Sequence, residues 1–168
     1  LDLRIEATTR PVDFDRDEVD VAVNIGRGAV AGAIAIPLFA ERIAALASPA
    51  LIRQLNLRRV GDLSRATLLH DDSMRRAGRT TGWSEWLAAT RVRSVDVVGG
   101  MHFDDGHLVL QAAAGGCGVA LGRLAYALDD LEARRLRVPF GPVLEPDLEY
   151  RLLVPEGRTD EPAIAAFR

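Results

Sequence analysis

The stretch from Phe103 to Gly122, FDDGHLVLQAAAGGCGVALG, constrains this chain more than any other. Leu108, Leu110 and Ala112–Ala114 predict a helix that opens on two aspartates and stops at Gly115-Gly116. After Cys117 the chain turns at Gly118 into a short apolar strand, Val119-Ala120-Leu121. A helix start carries unpaired N–H groups and partial positive charge, so it can anchor a small polar ligand. Asp104 is the expected N-cap and Asp105 the first-turn acid, and capping alone would account for both. Cys117, between glycines in apolar surroundings, reads as a buried, inert thiol.

The chain has 168 residues, 48% hydrophobic and 27% charged, enough to bury a core in one or two small lobes. Its 21 basic residues are all arginine, and the net charge is −3. No basic block or arm offers a phosphate-tracking surface, which argues against nucleic-acid binding by this chain itself. A single cysteine excludes an internal disulfide and fits a reducing compartment. No run reaches the ~18 apolar residues of a membrane helix, and no signal peptide is visible.

From the start, Leu1, Leu3, Ile5 and Ala7 alternate with polar residues, which predicts a strand. Pro11 interrupts it, and a helical turn is expected over Val12–Asp17. Val19, Val21, Val23 and Ile25 alternate again, giving a second strand that ends at Asn24-Ile25-Gly26-Arg27-Gly28. The two strands suggest a parallel βαβ unit with Thr8, Thr9, Asn24 and Gly26 at the carboxyl ends, where such folds bind ligands. Further strands are expected over Ala33–Phe39, Ile43–Leu46, Thr67–His70, Val95–Met101, Leu136–Phe140 and Tyr150–Val154. Ser48-Pro49 signals a helix over about 49–55. Another short helix runs from Val60 to Ala66, and residues 73–82 read as a mobile loop. Gly82–Thr90 is helical with Trp83, Trp86 and Leu87 on one face, more simply core packing than a cleft rim. A helix follows through Leu124, Leu128 and Leu131, and a last one starts at Pro162. Alternating strands and helices predict an α/β fold with mainly parallel sheets.

FDD, LVLQAA and G-x-GVALG together resemble the effector-binding domain of LysR-type transcriptional regulators, nearest the regulators of glycine cleavage and of beta-lactamase induction. VDFDRDEVDVAVNIGRG at 12–28, SPALI at 48–52, DLSRATLLHDD at 62–72 and WSEWLAA at 83–89 follow the same pattern in order. The resemblance implies a two-lobed fold like that of type II periplasmic binding proteins, each lobe a small mixed sheet flanked by helices. Lobe I would comprise 1–45 plus 150–168 and lobe II 46–149, with crossings at Arg42–Ala47 and Glu149–Val154. Lobe I would be incomplete, and the family's N-terminal winged helix-turn-helix is absent from this chain. The implied function is cytoplasmic effector sensing, with side-by-side homodimers, tetramers in the full-length regulator, and DNA contact only through the missing domain. A solute-binding protein for uptake is the alternative on the same fold.

An enzyme finds no support. His70, His102 and His107 form no i, i+4 pair, and with one cysteine no zinc set is apparent. There is no G-x-S-x-G elbow and no Walker A. His70-Asp71-Asp72 reads as cleft lining, and the glycines at 26, 28 and 32 precede a strand, not a phosphate-binding helix. No metal and no cofactor is expected. The candidate effector-binding residues are Thr8, Thr9, Asn24 and Arg27 from lobe I, and His70, Phe103, Asp104 and Asp105 from lobe II. Hydroxyls and an amide would orient a small polar metabolite, Phe103 would form a wall, and Arg27 would grip a carboxylate. Relatives usually carry Ser after FD, so the additional acid Asp105 predicts a ligand with an amine.

Overall fold

A computed structural model describes residues 2–8, 10–73 and 81–168. The chain packs as two compact units, Leu1–Glu41 with Asp147–Arg168 and Arg42–Pro146. Each unit is built on its own sheet.

The first unit holds β1 (Ala22–Gly26), β2 (Ala33–Ala40) and β7 (Glu149–Pro155), in the order β1-β7-β2. Both pairings are antiparallel, and the expected parallel βαβ unit does not form, because its first strand is missing among the described residues. Period-two alternation identifies a strand but says nothing about its partner or direction. The expected strand over 1–7 is also not formed: residues 2–8 carry no secondary structure, and Leu3 and Ile5 are 55% and 81% exposed. An alternating segment becomes a strand only when a neighbour pairs its N–H and C=O groups, and among the described residues none does so. On β7, Leu152 and Val154 are buried with Ile164 of α5 (Pro162–Phe167), and Val21 and Ile36 pack on them. Tyr150 stacks on Phe39 at 4.6 Å and donates its hydroxyl to buried Glu41 over 3.2 Å.

The second unit carries the sheet β3-β6-β4-β5: β3 (Ile43–Leu46), β4 (Leu68–Asp71), β5 (Met101–Phe103) and β6 (Val119–Arg123). β6 runs parallel to β4 and antiparallel to β3, and β4 is parallel to β5. The fold is thus α/β with one antiparallel and one mixed sheet, not mainly parallel. Alternate residues of the central strands serve two cores. Ile43, Ala45, Leu68, Val119 and Leu121 face a cluster built by α1 (Pro49–Gln54) and α2 (Trp83–Ala88). Leu46, Leu69 and Ala120 face α3 (Gly106–Ala114) through Val109, Leu110 and Ala113. A sheet covered on both faces explains why its strands read as unbroken apolar runs.

Local chemistry sets the helix ends. The Ser48 hydroxyl accepts from Leu51 N over 3.2 Å and Pro49 opens α1, as its sequence signals require. Trp83 and Trp86 meet edge to face at 5.4 Å, and their indole N–H groups donate to the carbonyls of Leu69 and Pro142. They are core residues. A 3-10 helix spans Val60–Arg65, where backbone N–H groups of Arg58 and Arg59 hold the Asp62 carboxyl below the usual carboxylate range, aided by Arg65 and Arg59. The helix expected through Leu124, Leu128 and Leu131 shortens to α4 (Leu128–Glu132).

Two expected strands are not formed. Val95–Met101 lies outside the sheet until Met101, and Leu136–Phe140 makes only a single bridge, Ala47 with Arg137. Val95 and Leu136 are held by side-chain burial without a continuous ladder, while Val98 and Val138 are exposed. The loop expected at 73–82 falls largely on residues 74–80, outside the described residues.

Strand β6 sits close to its neighbours. A Cβ on Gly118 would lie 2.3 Å from the Thr67 carbonyl oxygen, and one on Gly122 would lie 2.7 Å from Leu110 and 2.8 Å from Leu46. Gly61 has open space around it. Gly118→Ala should therefore cost about 1–3 kcal/mol through overpacking, whereas Gly61→Ala should be neutral or stabilise by about 0.4–1 kcal/mol. Denaturant midpoints of the two variants decide this, and equal effects would contradict the packing described.

Candidate functional site

In the second unit, four of the expected residues converge on one end of the sheet. The parallel pair β4 and β5 aligns His70 with His102 and Asp71 with Phe103, so both strands finish together. Phe103 is half-buried on the last residue of β5. Asp104 and Asp105 follow at once, and α3 starts at Gly106. The carboxyl ends of parallel strands beside a helix start form a recurrent ligand-binding position in α/β folds.

The capping roles of the two aspartates differ from expectation by one residue. Asp105 is the N-cap: its Oδ1 accepts from His107 N over 2.7 Å and from Leu108 N over 3.2 Å. The backbone of Asp105 is extended, as an N-cap requires, and Asp104 precedes the helix. The paired aspartates allowed either register, and the geometry of the first turn selects the second of them. Asp105 therefore serves the helix dipole with the oxygen that was expected to attract a ligand amine.

The histidines form a small network. The rings of His70 and His102 stack at 4.3 Å with 10° between their planes. His70 Nε2 lies 3.2 Å from the Gly99 carbonyl and His102 Nδ1 lies 3.2 Å from Asp72 Oδ2. Each acceptor offers no proton, so these two nitrogens carry the hydrogens. Asp71 ends β4, and its Oδ1 accepts from both the backbone N–H (2.9 Å) and the hydroxyl of Ser73. Its Oδ2 lies 2.9 Å from where a Cβ on Gly106 would stand, beside the first turn of α3. On that turn His107 stacks on Tyr126 at 4.5 Å, and buried Arg123 donates to the Tyr126 hydroxyl over 3.0 Å. Asp71 was expected only to line the cleft, and Tyr126 and Arg123 had no expected role. Only the HDD run hinted at the first, and no local pattern marked the other two.

In the first unit the expected residues are less concentrated. Asn24 is half-buried on β1 opposite Arg151, and its Oδ1 is buried with no hydrogen-bond partner among the described residues. Arg27 lies just past β1 with its side chain 73% exposed, paired at 3.2 Å with Asp147, itself 88% exposed. Such a pair is worth about 0–1 kcal/mol and leaves the guanidinium largely in water. Thr8 is exposed and its hydroxyl accepts from Arg10 N over 3.1 Å, a local turn bond. Thr9 lies outside the described residues. Arg151, which the sequence reading did not single out, is 3% exposed in the middle of β7. A lone arginine in the apolar run EYRLLVP was the available signal.

Cys117 is exposed, correcting the expectation of a buried thiol. The N–H groups of Gly116 and Cys117 turn back to cap the carbonyls of Ala113 and Ala112, which swings the side chain outward. Among the described residues, no group of three or more His, Cys, Asp and Glu is placed to hold a metal ion. A cavity of about 320 Å³ lies at the amino end of β4, lined by Leu63, Thr67, Leu68, Asp96, Gly99 and Gly100 among others. None of the expected site residues lines it.

A family model described as the LysR substrate binding domain matches residues 1–168. The glycine cleavage system transcriptional activator of Escherichia coli strain K12 is 36% identical over 169 residues, covering 100% of this chain and 53% of that protein. The HTH-type transcriptional activator AmpR of Rhodobacter capsulatus is 31% identical over 167 residues, covering 99% of this chain and 54% of its own length. The chain thus spans about half the length of the curated relatives it matches. Among solved structures, the effector domain of the transcriptional regulator AmpR of Pseudomonas aeruginosa matches with a TM-score of 0.72 at 29% identity, over 94% of this chain and 73% of that one.

The N-cap assignment has a direct test. Asp105→Ala should destabilise the second unit by about 1 kcal/mol, within the 0.5–2 kcal/mol range of lost caps, while Asp105→Ser should retain most of the stability. Chemical denaturation followed by tryptophan fluorescence reports on this unit, which holds both tryptophans. Equal losses in the two variants would remove the capping role.

Proposed function

The chain belongs to the LysR substrate-binding-domain family, and from that premise we propose that it is the effector-sensing part of a DNA-binding transcriptional regulator. The observation that carries the reading is the family match along the whole chain, to relatives named as transcriptional activators. The geometry supports it. The second unit sets His70, Phe103, Asp104 and Asp105 at the carboxyl ends of β4 and β5 beside a capped helix start. The first unit adds Thr8, Asn24 and Arg27, with Thr9 adjoining. The second-unit group suits a small polar metabolite held by charged groups against one aromatic wall, and the first-unit residues offer hydroxyl, amide and guanidinium groups within their own unit.

The proposed regulator works in the cytoplasm as a homodimer, or as a tetramer at full length, and meets DNA through a separate domain. This chain's net charge of −3 and dispersed arginines fit a sensor better than a phosphate-binding surface. No helix among the described residues is long and apolar enough to cross a membrane. Control follows if the effector binds one arrangement of the subunits more tightly than another, because equal affinity shifts nothing. Uptake of a solute on the same fold is not favoured, since the relatives are named as regulators.

A thermal-shift screen over amino acids, small carboxylates, aromatic acids and peptidoglycan fragments tests the sensing role. A ligand at 100 times its Kd should add about 2.7 kcal/mol of stability. The expected outcome is a hit that weakens on substitution of Asn24 or Phe103. A folded domain that responds to no member of the panel would count against small-metabolite sensing.

A further inference from the structure

Arg151 is a buried cation with no counter-charge among the described residues. It sits at the centre of β7, the middle strand of the first sheet, and is 3% exposed. Nη1 donates to the Gly28 carbonyl oxygen, and Nε is buried with no partner. No described carboxylate lies within ion-pair distance of it. A guanidinium carries five N–H donors and stays charged at any physiological pH, so an apolar sheet interior is an expensive place for one. One neutral carbonyl does not offset that cost.

The surroundings are shaped for an anion. The edge formed by Nε and Nη2 presents the parallel N–H pair that binds a carboxylate with two hydrogen bonds. A Cβ on Gly26 would stand 2.6 Å from Nη2, so only glycine lets the guanidinium lie against the backbone here. Directly across the ladder from Arg151, Asn24 holds a buried Oδ1 that also lacks a partner. That acceptor would take an N–H or O–H of the same ligand. The exposed turn after β1, where Gly28 has φ of 72°, lies against the guanidinium through the Gly28 carbonyl.

We propose that Arg151, with Gly26 and Asn24, is a carboxylate-binding site in the first unit, and that the ligand is a small carboxylate bearing a hydrogen-bond donor. This rests on the reading of the domain as an effector sensor and names the class of effector. It moves the carboxylate grip from Arg27, which is exposed and already paired with Asp147, to a desolvated guanidinium, where a charged hydrogen bond is stronger.

The test uses the 168-residue chain and sodium acetate as probe, at constant ionic strength set with sodium chloride, with inorganic phosphate as a second arm. Acetate should raise Tm saturably. It should also shift the side-chain Nε–H resonance that disappears in Arg151→Lys, with the same half-saturation. Arg151→Met should abolish the response while removing an uncompensated charge, so this variant is expected to fold. Gly26→Ala, which keeps the arginine but displaces its Nη2, should weaken acetate at least tenfold. An unresponsive wild-type chain, or a response retained in both variants, would overturn the site. So would an Nε–H resonance that ignores acetate but moves in Asn24→Ala, since the two side chains would then satisfy each other. Phosphate saturating below acetate would overturn the carboxylate assignment. A hit from the metabolite panel that is indifferent to Arg151→Met removes this site alone and leaves the sensing role standing.

Discussion

Strand β6 can occupy the middle of its sheet only because glycine stands at 118 and 122. At Gly118 the backbone passes against the Thr67 carbonyl, and at Gly122 the side chains of Leu46 and Leu110 close over a missing Cβ. Leu110 belongs to α3, so this approach seats the helix on the sheet. The seat in turn fixes where α3 begins, beside the ends of β4 and β5. A side chain at position 122 would press on Leu110 and disturb the seat of α3. The placement of the candidate site is thus a consequence of backbone packing several residues away.

The two units treat charge differently. In the second, most polar groups meet a local partner: Asp105 the helix N–H groups, Asp71 Ser73, His102 Asp72 and the Arg123 Nη1 the Tyr126 hydroxyl, while the Arg123 Nε is buried with no hydrogen-bond partner among the described residues. Such a network is preorganised and orients what it contacts. In the first, Arg151 and Asn24 each keep a buried polar atom without a partner. Native interiors rarely leave such atoms unmet, and those that remain call for a physical account. A bound anion supplies one.

Much of this was legible in the sequence where the signal is local. Ser48-Pro49 marked the start of α1, the spacing of Trp83, Trp86 and Leu87 marked a core-facing helix, and Gly115-Gly116 marked the end of α3. The family followed from motifs spread along the chain. What escaped depends on partners distant in sequence. Alternation over residues 1–7 looked like a strand but meets no ladder, and β1 pairs with β7 more than a hundred residues away, antiparallel. Val95–Met101 and Leu136–Phe140 have strand composition without strand neighbours. Phe-Asp-Asp admitted two capping registers, and Cys117 was misjudged because its exposure follows from the turn that caps α3. The site was legible as a region in the second unit, and hardly at all around Arg151, whose significance lies in burial that composition does not reveal.

The proposed effector position of the second unit is the start of α3, and the proposed carboxylate site of the first unit is the end of β1 with Arg151. Amide hydrogen exchange with and without a ligand from the metabolite panel tests both most directly. The account predicts added protection confined to two segments, the amides of Gly106–Val109 with the ends of β4 and β5, and those of Asn24–Gly28. Protection centred instead on the cavity at Thr67, Asp96 and Gly100, or spread evenly over both sheets, would contradict it.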